Sequence, residues 1–492
     1  MLAIGLLMGL LGGLHAPETA GHRVIAAGLD LQAGDDDSGD PTIQAAAVNY
    51  STIVITEIHY KPDVKTELVE YIELFNPGQV TIDLSEWGLD GAVSYLFPEG
   101  TRLLPGAYLL VAPDPAAVAA KFGPRPLGPV DGRLSSDGET ITLRASSGQV
   151  VDEVSYGFGF PWPTVGDAPG NSIQLLNPAF DNDVPGNWRS ALPTPGRANS
   201  IQSDNAPPSI SAVDHQPQSP TSADAVTISA LVHDPDGVDR VTLFYQLVDP
   251  GAYVTLTDPD YATRWNPLAM EPQGDNRYRA LLPADMQQNR RLVRYRIEAV
   301  DRRGLSVMTP YADDLQPNFA YFVYDGVPPW TGSVSGGPAD QITYDFATMR
   351  PLPVYHFIAK QMDVADALFM PPSRLETGYY GTDYLWRGTL VYNGDVYDHV
   401  EFRARGGDTR FATGKTMWKI NFLLGHRFQA YNDYNQPYAT KWDKLNLSAV
   451  IQQTNRHRRG EQGLFEAASF KLFNLAGVAA PLTHWIHFRV ID

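Results

Sequence analysis

Short runs in which apolar and polar residues alternate, separated by Gly, Pro and Asp, fill residues 51–200. A period of two places every second side chain on the same face, so each run predicts a β-strand with one face toward a core. Strands at this spacing, with turn residues between them, are typical of an all-β sandwich. One run differs: residues 113–122 (PDPAAVAAKF) predict a helical turn that Asp114 caps.

The same alternation returns in residues 207–327 and predicts a second β-sandwich. Its last long run alternates apolar residues with Arg294, Arg296 and Glu298, which predicts a strand buried on one face. The string DPDG at residues 234–237 has oxygens for Ca²⁺, but a plain turn is favoured because the longer ligand spacing of a calcium loop is missing.

Helix and strand patterns mix in residues 352–492. Asn393-Gly394 between two alternating runs is a strong signal for a two-residue β-hairpin. An amphipathic helix follows Gly463 and ends near Gly477, a residue type suited to the left-handed position after a helix. This last segment is therefore expected to combine a sheet with helices.

Segments outside these units have a different composition. Residues 1–27 begin with the apolar run MLAIGLLMGLLGGL, which suits a signal peptide better than a membrane span, with cleavage after Ala16 or Ala26. Residues 28–50 predict an acidic linker, and residues 328–351 predict a second linker. The chain is expected to be secreted or held at the cell surface, with no stable membrane span after cleavage.

Charge is distributed unevenly along the chain. The formal net charge is −19, which argues against nucleic acid as a partner of the whole molecule. Residues 401–492 nevertheless hold 13 Lys and Arg against 7 Asp and Glu, whereas the other residues hold 24 against 49. Cysteine is absent, which excludes disulfides, thiolate catalysis and Cys-ligated zinc. The basic end therefore predicts contact with an anion that the rest of the chain does not meet.

The densest cationic stretch is EFRARGGDTRFATGKTMWKINF, residues 401–422. A glycine turn lined by cations between two strand-like runs is a plausible cradle for phosphates. In a strand, Lys415 and Lys419 share one face and can point together at an anion. The candidate phosphate-binding residues of this stretch are Arg403, Arg405, Lys415 and Lys419.

Residues 352–492 resemble the first part of the spore-coat protein H (CotH) family of secreted, atypical protein kinases. The resemblance rests on FRARGGDTR, GKTMWKINF, WDKLNLS, LFEAASFKLFNLAGVAAP and THWIHFRV in this order. It implies ATP as cofactor with Mg²⁺ or Mn²⁺, and a secreted or cell-surface protein as the phosphorylated partner. In the family, the acids that hold metal and transfer phosphate lie beyond the position that corresponds to Asp492. No catalytic or metal-binding residue is therefore assigned here, and whether this chain is an enzyme stays open.

The same resemblance gives Glu466 a candidate role. Kinase-like folds pair a helix glutamate with a strand lysine that contacts phosphates, and Lys415 or Lys419 would be that lysine here. The alternative is that Glu466 is a carboxylate in the first turn of its helix, where the helix dipole favours it.

Residues 51–200 resemble the lamin tail domain, an immunoglobulin-like sandwich. The matching pieces include ITEIHY, EYIELFNPG, IDLSEWGL, FPEGTRLLPGAYLLVA, SSDGETITL, GQVVDEVSYG and GNWRSALPTPGRANS. The resemblance makes Trp87, Pro105 and Trp188 core and turn residues. Four polar residues stand out as candidates for a binding face: Glu57, Glu70, Glu73 and Asn76. The favoured alternative is that they lie on the solvent side of the strands or brace loops.

Together the sequence predicts a mainly β, multidomain chain: two immunoglobulin-like β-sandwiches followed by a partial α+β domain that resembles an atypical kinase. The implied function is ATP-dependent phosphorylation of a secreted or surface protein if the domain is complete. The alternative is a non-enzymatic extracellular adhesion or scaffold protein built of β-sandwich modules. A metal-binding acid in the kinase-like domain would separate the two.

Overall fold

The computed structural model describes residues 3–8, 53–163, 170–333, 341–369, 384–405, 416–432, 434–448 and 461–491. These residues form a mainly β, multidomain structure in which antiparallel sheets dominate and helices are few. The first strand, β1 (Ala3–Met8), pairs with strands near the other end of the chain. The predicted signal peptide stays a prediction. Among the described helices, none is both long and apolar enough to span a bilayer.

The first sandwich has two five-stranded sheets, ordered β13-β12-β2-β3-β8 and β11-β10-β5-β6-β9, and a small ribbon of β4 and β7. Its elements are β2 (Val54–His59), β3 (Tyr71–Phe75), β4 (Ile82–Asp83), β5 (Gly88–Gly91), β6 (Val93–Leu96), β7 (Arg102–Leu103), β8 (Tyr108–Val111), α1 (Pro115–Phe122), β9 (Asp131–Gly132), β10 (Gly138–Arg144), β11 (Val150–Gly157), β12 (Ser172–Leu175), a 3₁₀ turn (Pro185–Asn187) and β13 (Trp188–Ala191).

Apolar residues from both sheets share one buried cluster in this unit. Ile55 and Leu74 from one sheet meet Leu143 from the other, as the alternation of the strands predicts. Trp87 and Trp188 are also buried in the cluster, which confirms them as core residues. The unit therefore has a hydrophobic core of its own.

The four polar residues of this sandwich that the sequence singled out are all buried: Glu57, Glu70, Glu73 and Asn76. The alternative in which they brace loops is confirmed. The alternative in which they lie on the solvent side of the strands is wrong. Glu57 accepts hydrogen bonds at 2.9 Å from both the backbone N and Oγ1 of Thr194, and Glu73 accepts one at 2.8 Å from the backbone N of Gly196. Buried carboxylates need such donors because desolvation is costly, so these side chains are occupied within the fold and form no exposed binding face.

The second sandwich has sheets ordered β14-β15-β19-β18 and β17-β16-β20-β21, with β22 also paired to β20. Its elements are β14 (Ser209–Gln216), β15 (Val226–His233), β16 (Val238–Val248), α2 (Pro259–Thr263), β17 (Asn266–Ala269), β18 (Glu271–Gly274), β19 (Arg277–Leu282), a 3₁₀ turn (Ala284–Met286), β20 (Leu292–Asp301), β21 (Ser306–Thr309) and β22 (Phe319–Phe322).

Strand β20 corrects the prediction of a half-buried strand. Arg294, on the face expected to be polar and exposed, has 0% of its surface exposed, and Val300 is buried too. The reason at Arg294 is tertiary, because Asp398 of the last unit pairs with it, whereas Arg296 and Glu298 on the same face stay partly exposed.

The last unit contains a barrel in the order β1-β29-β28-β27-β26-β25-β30, with β25 and β30 parallel. Its elements are β23 (Trp330–Ser333), β24 (Gln341–Tyr344), α3 (Phe346–Met349), β25 (Val354–Ala359), α4 (Gln361–Leu368), β26 (Trp386–Tyr392), β27 (Asp395–Arg405), β28 (Met417–Asn421), β29 (Lys444–Ser448), α5 (Glu461–Leu475) and β30 (Trp485–Ile491).

Turns and helix ends of this unit follow the sequence. Asn393 and Gly394 both have positive φ, at 54° and 87°, which confirms the two-residue hairpin between β26 and β27. Gly477 has φ 77° just after α5 and confirms the predicted helix end. The segment 328–351, expected to be a linker, contains the short ribbon β23–β24, where Trp330 stacks on Tyr344 with ring centroids 5.6 Å apart.

Candidate functional site

The cationic face of the barrel lies where β27 and β28 pair. Arg403 is directly opposite Lys419 in the antiparallel register. Phe402 and Ala404 alternate with the arginines and are buried, whereas Arg403 and Arg405 are half-buried. Successive side chains of a strand point to opposite faces. The fold therefore gathers Arg403, Arg405 and Lys419 on the side of the sheet that faces away from Phe402.

Positive charge accumulates on this cationic face. The pKa of Lys419 is lowered from its usual value, first by burial and then by the charges of Arg403, Lys444 and Arg405, with Asp443 opposing the effect. Lys444, on the neighbouring strand β29, is a member that the sequence interpretation missed. Nearby cations repel a charged lysine and favour its neutral form. An anion placed here would relieve that repulsion.

Glu466 approaches the same cluster from helix α5. Burial raises the pKa of Glu466, and the charge of Arg405 acts in the opposite direction. Among the described contacts, neither Arg405 nor Lys419 forms an ion pair with Glu466. Arg405 is the described residue whose charge acts on Glu466, and the pairing with Lys415 or Lys419 that the kinase resemblance implies stays a prediction.

Lys415 and the glycine turn lie outside the described residues, as do Asp408 and Arg410. Their part in the candidate phosphate cradle stays a prediction. Within the described ranges, no group of three or more His, Asp or Glu residues is arranged to hold a metal ion.

Helix α5 exposes much of its apolar surface. Among the described residues that flank Glu466, Leu464 is 60% and Leu472 is 66% exposed, although the periodicity places both in one apolar stripe. The described residues thus leave the stripe largely uncovered.

A buried polar cluster at the junction of the second sandwich and the barrel was missed by the sequence interpretation. Arg294 donates to Asp398 through Nε (2.6 Å) and Nη2 (3.0 Å), and both side chains are fully buried. Asp398 also accepts from Asn318 Nδ2 at 3.0 Å and from Thr389 Oγ1. The partners come from segments far apart in the chain, so no local pattern could have indicated the cluster.

A family comparison identifies the first unit. Residues 46–158 match the family model of the Lamin Tail Domain, which confirms the resemblance over most of the first sandwich. The strands β12 and β13, which complete one of its sheets, lie after the matched residues. No curated protein matches the chain.

Three of the solved structures that are similar to this chain are remote likenesses. The cycloalternan-degrading enzyme from Trueperella pyogenes is 11% identical with a TM-score of 0.15, and the match covers 41% of this chain and 24% of that protein. Native α-2-macroglobulin from E. coli is 10% identical with a TM-score of 0.17, with 90% and 35% covered. A 1.5-MDa bacterial ice-binding adhesin is 9% identical with a TM-score of 0.14, with 91% and 93% covered. Scores this low carry no argument about function.

Proposed function

We propose that residues 352–492 bind the phosphates of ATP on the cationic face of β27 and β28, as the nucleotide-facing part of a kinase-like domain of the spore-coat protein H type. In a complete domain of this type the activity is phosphorylation of a secreted or cell-surface protein. The observation that carries the proposal is the convergence of Arg403, Arg405 and Lys419 on one face, where burial and, after it, the charges of the two arginines lower the pKa of Lys419.

The described residues fit a triphosphate better than they fit its metal ion. Arginine can hold phosphate oxygens with two parallel hydrogen bonds, and lysine adds a point charge. Mg²⁺ or Mn²⁺ would bridge the phosphates and neutralise charge during transfer, and it requires carboxylate ligands. Since the described ranges hold no suitable acidic group, we assign phosphate binding to this chain's residues and no metal ligand.

Titration of ATP into the full chain tests the phosphate site. Lys419→Met should weaken ATP binding about tenfold or more, because a charge-assisted contact contributes on the order of 1.5–3 kcal/mol when it is partly desolvated. Isothermal titration calorimetry at low and high salt measures the effect, and binding should weaken as salt screens the cations.

Lys471→Met removes the same charge from an exposed position of α5 and serves as the matched control. Equal ATP affinity for wild type and Lys419→Met, combined with a lower melting temperature of Lys419→Met, would assign the cations to internal charge balance and reject the phosphate site.

A second candidate function is that of a non-enzymatic extracellular scaffold. It is favoured by the fully buried Arg294–Asp398 pair, which joins the second sandwich firmly to the barrel as expected for a rigid multidomain spacer. Both candidates place the chain outside the cell. The scaffold is favoured if the chain is retained on insoluble polysaccharide or peptidoglycan and shows no measurable ATP binding. ATP binding without such retention favours the kinase-like domain.

A further inference from the structure

A cavity of about 610 Å³ lies where the first sandwich, the second sandwich and the barrel meet. Its volume falls within the range of small-molecule sites, roughly 300–1,000 Å³. The first sandwich contributes the end of β2 and two loops, and single segments of the other two units close the remaining sides. The residues used in the argument below are Tyr60, Lys65, Arg133, Leu315, Leu424 and Arg427.

Contacts between the units hold the walls of this cavity in place. Arg427, in the loop after β28, pairs with Asp137 of the first sandwich at 2.8 Å between Nη1 and Oδ2. Phe160 meets Phe319 of the second sandwich edge-on, with ring centroids 5.0 Å apart. The cavity therefore depends on the assembled arrangement of all three units.

Charge inside the cavity is biased toward cations. Glu70 is matched by Arg133 (3.0 Å) and by the backbone N of Leu134 (3.1 Å). Asp63 is matched by Lys121, which lies outside the lining. Lys65 forms no ion pair with any residue that the structure describes. One ammonium group thus faces the cavity without a carboxylate partner in the described part of the chain.

One of the residues that line the cavity, Tyr60, carries a buried hydroxyl that lacks a partner within the described ranges. Tyr60 is 2% exposed, and its Oη has no hydrogen-bond partner among the described residues. Leaving a buried hydroxyl unpaired costs on the order of 1–3 kcal/mol, so such groups are uncommon in folded proteins and call for an explanation. A ligand that accepts a hydrogen bond would remove this cost, and the Tyr60 ring would have to shift for the contact because its hydroxyl is closed to solvent in this structure.

We propose that this cavity binds a small organic anion whose carboxylate or phosphate head lies against Lys65 and Arg427 and accepts a hydrogen bond from the Tyr60 hydroxyl. Its apolar stem would pack on Leu315 and Leu424. This site is separate from the cationic face of β27 and β28 and does not depend on the proposed nucleotide binding. Binding would also stabilise the docked arrangement, because the site exists only when the three units are together.

Titration of the full chain with phenyl phosphate, benzoate and inorganic phosphate tests the site. We expect saturable binding of phenyl phosphate or benzoate at millimolar concentrations, and weaker binding of inorganic phosphate, which has no apolar stem. Whichever of phenyl phosphate and benzoate binds more tightly identifies the head group. Absence of saturable binding by all three probes would overturn the proposal.

Two variants locate the binding. Lys65→Gln should weaken binding of the tighter probe about tenfold, while Arg240→Gln, an exposed cation on the second sandwich, should leave it unchanged. Tyr60→Phe should weaken binding several-fold yet keep or raise the melting temperature, because it removes an unpaired buried hydroxyl. If Lys65→Gln and Arg240→Gln weaken binding equally, the probe is held by unspecific charge attraction. If neither Tyr60→Phe nor Lys65→Gln changes binding, the probe binds elsewhere. Either result rejects the site.

Discussion

Two carboxylates on neighbouring strands of the first sandwich are buried side by side. Glu57 and Glu73 oppose each other in the register of β2 and β3, and both are 0% exposed. Burial raises the pKa of Glu73 to about 8, and the charge of Glu57 adds to the increase. Glu73 still accepts a hydrogen bond from Thr56 Oγ1 at 2.9 Å. The fold thus favours the protonated form of Glu73 near neutral pH.

This pKa shift predicts a stability that falls with rising pH. The folded pKa is about 8 against 4.5 for an ordinary glutamate, so the contribution of Glu73 is fully present below about pH 4.5 and is lost as pH rises toward 8. Glu73→Gln keeps the shape and removes the titration. It should match wild type near pH 4.5 and be more stable by a few kcal/mol above pH 8, since one pKa unit corresponds to about 1.4 kcal/mol.

Urea unfolding of residues 51–200 at several pH values measures this difference. The described core of that segment is drawn from its own residues, which makes it suitable for separate study. Glu139→Gln, a half-buried carboxylate in the same sandwich, is the control for a general charge effect. A stability difference between Glu73→Gln and wild type that does not change with pH would show that Glu73 is ionised normally in the folded state.

At the scale of elements, the short helix α1 depends on its cap and on its packing. Asp114 accepts hydrogen bonds from the backbone N of Ala116 and of Ala117, both at 3.0 Å. Val118 is fully buried, and the ring of Phe122 meets Tyr71 with centroids 5.9 Å apart. A helix of eight residues is not stable alone in water, so these contacts hold it.

Removal of the cap should therefore be measurable. Asp114→Ala should lower the free energy of unfolding of the first sandwich by about 1 kcal/mol, because two backbone donors lose their acceptor. Asp114→Asn retains the side-chain oxygen and should lose much less. The urea midpoints of the two variants give the comparison, and similar losses in both would attribute the effect to the charge of Asp114 and its interaction with the helix dipole.

At the scale of the whole molecule, the junction between the second sandwich and the barrel is built on the Arg294–Asp398 pair. Arg294 also donates to Gln246 Oε1 at 3.1 Å and to the carbonyl of Val254 at 2.8 Å. Around it, Leu292 and Phe322 pack with Ile358 of the barrel in a buried apolar cluster. The two units therefore share a continuous interior.

Asp398→Asn should destabilise this junction by about 3–5 kcal/mol, because it leaves the Arg294 charge buried without its partner. The double variant Arg294→Met/Asp398→Leu removes both charges and should lose less, since apolar replacements can fill the space. Hydrogen exchange of the β20 and β27 amides in the full chain measures the opening of the junction. Exchange in Asp398→Asn that equals that of wild type would contradict a structural role of the pair.

The sequence by itself determined the features that depend on neighbours along the chain. Strand alternation, the cap at Asp114 and the turn at Asn393-Gly394 all depend on residues a few positions apart, and the structure agrees with each. The alternation also placed Lys419 on the opposite face of β28 from the buried Trp418. The position of Glu466 relative to the lysines could not be predicted, because it depends on how α5 packs against the sheet.

Only the tertiary structure decided which polar residues are buried and what they contact. Arg294 is 104 positions from Asp398, and Glu57 is 137 positions from Thr194. In the sequence, Arg294 and Glu57 look like polar residues on the open side of a strand. Burial of the second face of a strand is produced by another unit or by a distant loop, and a period-two pattern carries no information about what covers that face. The cavity at the meeting point of the three units exists for the same reason, since its walls come from segments that are close only in the folded chain.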